Sequence, residues 1–232
     1  MSARGEKIAV ALVLTATIPA LFVGAARIGI AQATTPPAWF VTTLDRALPL
    51  VPAAVWIYVS WYPMSAALLR LERAPFRKAC LAYVVAFGTC LGGYWLFPLT
   101  IERPTITTHG GMSAWMLARL YGVDPPVNLF PSFHAAVAVI MSLVVPGGRP
   151  VTAAVGVWAL ALCWSCVLTK QHYIVDVIAG AVVGALGVAV AEALCRVGTS
   201  QASASDAGAS VRAGSAQWTR ERSWPSQSAL RG

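Results

Sequence analysis

Asp124-Pro125-Pro126-Val127-Asn128-Leu129-Phe130-Pro131-Ser132-Phe133-His134 is a polar, proline-rich stretch that turns without a spacer into the apolar segment Ala135–Val145. Polar side chains at the edge of an apolar span are costly and are usually kept for a site. A Pro, then Ser, then His two residues later also reads as a helix start. Ser132 is then the N-cap, His134 lies in the first turn, and free backbone N–H groups face whatever anion sits there.

The chain around this stretch is built for a bilayer. Of its 232 residues 57% are hydrophobic and only 11% charged, with a mean hydropathy of +0.67. Soluble domains carry about a quarter charged residues. An integral membrane protein is expected, and the net charge of +8 is read through loop asymmetry rather than as a nucleic-acid footprint. All five cysteines fall inside apolar runs; Cys163 and Cys166 form a C-x-x-C without a second Cys or His pair, so they read as small apolar fillers.

Six spans are expected, several of them apolar runs that approach the roughly 20 residues of a crossing: Ile8–Ala26, about Ala47–Leu71, Ala79–Phe97, a fourth beginning with His134–Val145, Val151–Leu168 and His172–Arg196. The first is longer than a signal-peptide core, so an uncleaved span is favoured over cleavage near Ala31-Gln32-Ala33. The second contains Pro49, Pro52 and Pro63; its Tyr58, Trp61 and Tyr62 suit an interfacial belt or a lipid groove. In the long connection Pro98–Pro131, the apolar-periodic piece Met112–Tyr121 suits a short interfacial helix, and His109 reads as a loop residue. Asp124 and Asn128 suit Asx-type bonds in the turn before Ser132. Gly180 and Gly184 permit close helix packing. From Gly198 the tail has almost no large aliphatic residues until Leu230, and disorder is expected. The expected architecture is an all-α bundle of six membrane helices over 1–197, followed by a disordered cytoplasmic tail over 198–232.

Six spans put both termini on one side, together with the basic Arg70–Lys78 loop, the Arg149 turn and the Arg-rich tail; that side is expected to be cytoplasmic. Arg103, Ser132, His134, Lys170 and His172 then share the opposite face, although no chemistry entered the assignment. The expected place is the plasma membrane, with the site on its non-cytoplasmic face.

His172 and Asp176 are four residues apart, one helical turn on one face. A carboxylate behind an imidazole fixes the tautomer and leaves the outer nitrogen free to attack. Arg103 and Lys170 supply positive charge for phosphate, and Ser132 with the helix N-terminus adds donors. His134 is placed to protonate the leaving oxygen. Together these residues read as phosphoryl transfer through a phosphohistidine, needing neither metal nor other cofactor. The rival, a metal held by His172 and Asp176, would need a third ligand from His134 or His109.

At these positions the sequence resembles the type 2 phosphatidic acid phosphatase superfamily. Pro131-Ser132-Phe133-His134 is similar to its P-S-x-H motif, Ser165 with His172-x-x-x-Asp176 to S-R-x5-H-x3-D, and Arg103-Pro104 to the end of K-x6-R-P. The resemblance implies a six-span lipid phosphatase or phosphotransferase with His172 as nucleophile, Asp176 as relay, His134 as general acid, and Arg103 with Ser132 on phosphate. Two motif cations are replaced, the Lys by Leu96 and the Arg by Cys166; Lys170 is expected to stand in for one of them. Thr169-Lys170-Gln171-His172-Tyr173, Asn128-Leu129-Phe130-Pro131-Ser132 and the proline-rich second run with Tyr58 look like the branch containing inositol phosphorylceramide synthases. The leading expectation is hydrolysis of a phosphorylated lipid. Transfer of a phosphorylated headgroup to an alcohol such as inositol stays open, as does a silent lipid-binding or transport role. Neither the lipid nor the oligomeric state is written in the sequence.

Overall fold

The computed structural model describes the backbone of residues 3–107 and 110–221 and the side chains of residues 4–107 and 110–197. His109 lies outside the described residues. The elements run α1 (Ala3–Gln32), α2 (Thr43–Ala47), a 3-10 turn (Pro52–Ala54), α3 (Val55–Val59), α4 (Trp61–Ala67), a second 3-10 turn (Leu68–Arg70), α5 (Arg73–Leu96), α6 (Met112–Val123), α7 (Phe133–Val144), α8 (Arg149–Leu168) and α9 (Ile174–Glu221). Among the described residues the only β-type pairing is an isolated bridge between Thr34 and Leu99, and the fold is all-helical.

Among the described residues four stretches are long and apolar enough to cross a membrane: Arg4–Gln32, Arg73–Leu96, Arg149–Leu168 and Ile174–Val197. At 1.5 Å per residue the shortest covers about 30 Å, the thickness of a hydrocarbon core. The other two expected spans take different forms. The run 47–71 is broken, and Pro63 accounts for its main break. Proline has no N–H to offer the Val59 carbonyl four residues earlier, and α3 ends at Val59. Ser60 fills the gap, its Oγ donating to Ile57 O at 2.6 Å and accepting from Trp158 Nε1 at 2.8 Å. The fourth expected span is a helix of 12 residues, about 18 Å long.

That short helix is the centre of the bundle. Eight of the 12 residues of α7 are buried, as expected of a helix apolar on every side. Phe133, Val137, Ile140 and Met141 pack with Phe76, Tyr83, Phe87 and Tyr94 of α5 and with Val188 and Ala191 of α9. Leu12, Val84, Leu160, Ile178 and Leu186 point outward, giving the apolar exterior that a bilayer requires. The α9 contact depends on glycine: a Cβ at Gly180 would lie 2.1 Å from Ser132 O, and one at Gly184 would lie 2.5 Å from Ala136 O.

The expected interfacial piece is helical, as α6. The helical backbone of α9 continues to Glu221. Extending an existing helix costs far less than starting one, and this segment is rich in alanine. Residues 222–232 lie outside the described residues. The compact unit that carries the site is Met1–Ala191.

Candidate active site

The quoted stretch is fixed at three points. Asn128, in the left-handed region at φ 59, donates from Nδ2 to Phe22 O of α1 at 2.9 Å. Gly93 of α5 leaves room for the Phe130 carbonyl and the Pro131 ring, which a Cβ there would meet at 2.6 and 2.5 Å. Ser132 N donates to Asp176 O at 3.0 Å, binding the start of α7 to the first turn of α9. The Ser132 hydroxyl accepts from Ala135 N at 3.4 Å, so Ser132 is the N-cap. His134 then emerges in the first turn. Its ring centroid lies 4.3 Å from that of Tyr58, 5.5 Å from that of Trp61 and 5.9 Å from that of His172.

His172 sits in the turn between α8 and α9. The Cys166 carbonyl accepts from Gln171 N at 3.0 Å and from His172 N at 3.1 Å, which closes the end of α8. At the start of α9, Asp176 Oδ2 accepts from Tyr173 N at 2.8 Å and Asp45 Oδ1 accepts from Ile174 N at 2.9 Å. His172 Nδ1 stands 3.6 Å from Asp176 Oδ2. The contact is slightly beyond hydrogen-bond length and leaves Nδ1 without a hydrogen-bond partner; such contacts are commonly long without substrate. Burial first, and then the charge of Arg103, pull the His172 imidazole down to about 3, against a bond to the Leu129 carbonyl. It is therefore neutral at physiological pH, the form a nucleophile needs.

Between the two imidazoles lies a small cavity lined by Phe22, Tyr58, Tyr94, Arg103, Asp124, Val127, Asn128, His134, Gln171 and His172. Arg103 is locked in its wall. It donates to Asp124 O at 2.5 Å, to Pro125 O at 3.4 Å and to Gln171 Oε1, and it lies over the Tyr121 ring at 4.7 Å. Burial pulls its pKa below the usual guanidinium range, with the Asp124 carboxylate acting the other way; guanidinium still keeps its charge. Arg103 Nε and Gln171 Nε2 are buried with no hydrogen-bond partner. Unpaired buried donors call for an acceptor, and two of them beside two imidazoles suit an oxyanion. Asp124 is the opposing charge. Burial pushes its carboxyl up to about 6, against Arg103 and the nearby Tyr58 hydroxyl.

The structure thus brings together His134, His172, Asp176 and Arg103. It does not bring Lys170 or Ser132 to the cavity. Lys170 adopts φ 53, and its ammonium donates to Asp45 O at 3.0 Å and Leu48 O at 2.8 Å. A cation on carbonyls at a helix end is a favourable arrangement, and it holds the Lys170 charge on α2. Lys170→Met is expected to cost about 1–3 kcal/mol of stability while leaving KM for a phosphate substrate within about twofold. Thermal unfolding in detergent together with steady-state kinetics checks this; a tenfold rise in KM would return Lys170 to the phosphate. Ser132 is fully buried, and its hydroxyl serves the helix cap.

Gln171, Tyr58 and Asp124 are site residues that sequence reasoning assigned elsewhere or passed over. Gln171 is 2% exposed, and its unpartnered amide Nε2 is a neutral donor in the cavity wall. Its position beside His172 is the signal that could have found it. For Asp124 the signal was a carboxylate at a membrane edge without a charged neighbour in sequence.

The sequence pattern of the PAP2 superfamily matches residues 34–190, which include every residue of the cavity wall except Phe22. No curated protein and no solved structure matches the chain.

Proposed function

Because the chain belongs to the PAP2 superfamily, a family of phosphatases and phosphotransferases acting on phosphorylated substrates, we propose that it is a membrane lipid phosphatase working through a phosphohistidine. The observation that carries this reading is the pair of imidazoles 5.9 Å apart, facing one cavity with the unpaired donors of Arg103 and Gln171 in its wall. The cavity between the rings holds about 10 Å³, room for about one water, so in this reading its walls part to admit a tetrahedral phosphoryl group with its oxygens on the donors.

In the first step, the outer nitrogen of His172 attacks phosphorus and forms a P–N bond. The P–O bond to the lipid alcohol breaks, and a proton on His134 passes to the leaving oxygen. Asp176 compensates the positive charge that grows on His172. Arg103 and Gln171 Nε2 hold the equatorial oxygens, whose charge rises in the transition state. In the second step His134, now neutral, takes a proton from water as its oxygen attacks phosphorus. The P–N bond breaks, and inorganic phosphate leaves. In this reading the broken run 52–70 and α7 complete six crossings of the plasma membrane, and the charge of the loops supports a site on its non-cytoplasmic face.

The test is a panel of phosphatidate, phosphatidylglycerol phosphate and polyprenyl phosphate in detergent with chelator present. Release of phosphate is expected from at least one of them. His134→Ala should lower that rate by about 10^2- to 10^4-fold. Release that needs an added metal, or that survives in His134→Ala, would sink the mechanism. A new phosphodiester on adding inositol or a sugar would instead identify a transferase of the inositol phosphorylceramide synthase type. Lipid binding without turnover would leave a silent binding or transport protein.

A further inference from the structure

His172 has a carboxylate behind it, whereas His134 lacks one in the sequence pattern and in direct contact. The structure supplies one at a remove. Tyr58 of α3 is 2% exposed; its hydroxyl is 3.3 Å from His134 Nδ1, and its ring lies against the imidazole at a tilt of 32°. The Asp124 carboxyl lies near enough to interact with the same hydroxyl, and all three residues line the cavity. We propose that Tyr58 and Asp124 are positioning residues for His134, forming a carboxylate–phenol–imidazole relay that parallels Asp176 behind His172. The proposal rests on the phosphatase reading for its kinetic consequences but not for its geometry.

Proton counting sets the direction of the relay. An ionised carboxylate only accepts, and a phenol has one proton and two lone pairs. The Tyr58 proton therefore goes to Asp124, and the phenol oxygen can only accept from His134. This requires a proton on Nδ1 and leaves Nε2 as the nitrogen that exchanges protons with the substrate. The relay also answers a charge problem. Arg103 from the α5–α6 connection and His172 from the α8–α9 turn line the same cavity as His134. Arg103 opposes an imidazolium there, as does His172 whenever it is protonated, and Tyr94 of α5 adds no charge while its phenol stays protonated. Asp124, through Tyr58, is the group among the cavity-lining residues that favours the protonated acid. Above about pH 6, where Asp124 ionises, the relay has its full effect.

The experiment is nitrogen-15 NMR of histidine-labelled full-length protein in detergent, where the chain has three histidines and His134→Ala assigns the signal. His134 is expected as the Nδ1–H tautomer. Tyr58→Phe and Asp124→Asn should each move its titration midpoint down by about one pH unit. With a substrate in hand, both variants should lower kcat by about 10- to 100-fold with little change in KM, and the alkaline limb of the rate profile should shift with the NMR midpoint. An Nε2–H tautomer in the parent protein, or an unmoved midpoint in both variants, overturns the relay whether or not any lipid is hydrolysed. If Tyr58→Phe fails to fold, the near-isosteric Asp124→Asn carries the test alone. Conversely, an inactive parent protein with the expected NMR shifts would count against the phosphatase reading and leave the relay standing.

Discussion

His172→Ala is expected to lower phosphate release by about 10^4-fold or more while the chain stays folded. In the proposed mechanism the nucleophile has no substitute within reach: His134 is assigned to proton transfer, and the Cys166 thiol donates to the Leu162 carbonyl at 3.3 Å. The fold tolerates the loss because Asp176 Oδ2 keeps its bond from Tyr173 N at 2.8 Å, so no new unpaired carboxylate oxygen is created. Rapid acid-free quenching with radiolabelled substrate should trap a phosphoprotein in the parent chain and none in the variant. A phosphoprotein of unchanged yield in His172→Ala would remove His172 from the mechanism.

The same variant carries a signature in stability. In the folded chain His172 titrates at about 3, whereas a histidine in the unfolded chain titrates near 6.5. Between these values the unfolded state binds a proton that the folded state refuses. The stabilising effect of keeping His172 neutral is thus complete above about pH 6.5 and is lost as the pH falls toward 3. His172→Ala lacks this term, so its melting temperature should fall less steeply between pH 6.5 and 4. A variant that is both inactive and as acid-sensitive as the parent chain would show that His172 is not buried as a neutral group.

The parts of the molecule that were legible in the sequence are those whose signal is local. The spans realised as α5, α8 and α9 are runs of apolar residues whose length alone matches a bilayer. His172 and Asp176 are joined by helical spacing, and Gly180 with Gly184 mark a close approach through the lack of side chains. Features that depend on tertiary contact were not legible. Pro63 was visible, but whether it kinks a span or divides it into α3 and α4 depends on what fills the gap, here Ser60 and Trp158. Lys170 has a long side chain with charge at its tip. Its partner was set by a left-handed turn and by carbonyls of Asp45 and Leu48, more than 100 residues away in sequence. Tyr58 read as an interfacial aromatic because nothing near it in sequence shows that its hydroxyl reaches His134.

Gly180→Ala is expected to be the most damaging glycine change in the bundle. The added Cβ would lie 2.1 Å from Ser132 O, 2.9 Å from Ser132 C and 3.1 Å from Ala135 Cβ. Two of these atoms are backbone, so no flexible side-chain tip can move aside, and α7 and α9 must separate. Overpacking of this kind costs about 3 kcal/mol or more. The displaced segment is also the one that aims His134 and that binds Asp176 O through Ser132 N. A misplacement of about 1 Å in such a constellation costs roughly 10^2-fold in rate. Gly184→Ala meets Ala136 O at 2.5 Å, one turn further from the site, and should lose comparable stability with a smaller fall in kcat. Gly187→Ala approaches Ala82 O at 3.0 Å and should be milder. At Gly88 of α5 a Cβ meets nothing within 4 Å, so Gly88→Ala should be neutral or stabilising by about 0.5–1 kcal/mol, the helix preference of alanine. Thermal unfolding and kcat measured across the four variants would expose an error in this order. If Gly180→Ala behaved like Gly88→Ala, α9 would not be seated on the first turn of α7, and the pairing of His134 with His172 would lose its support.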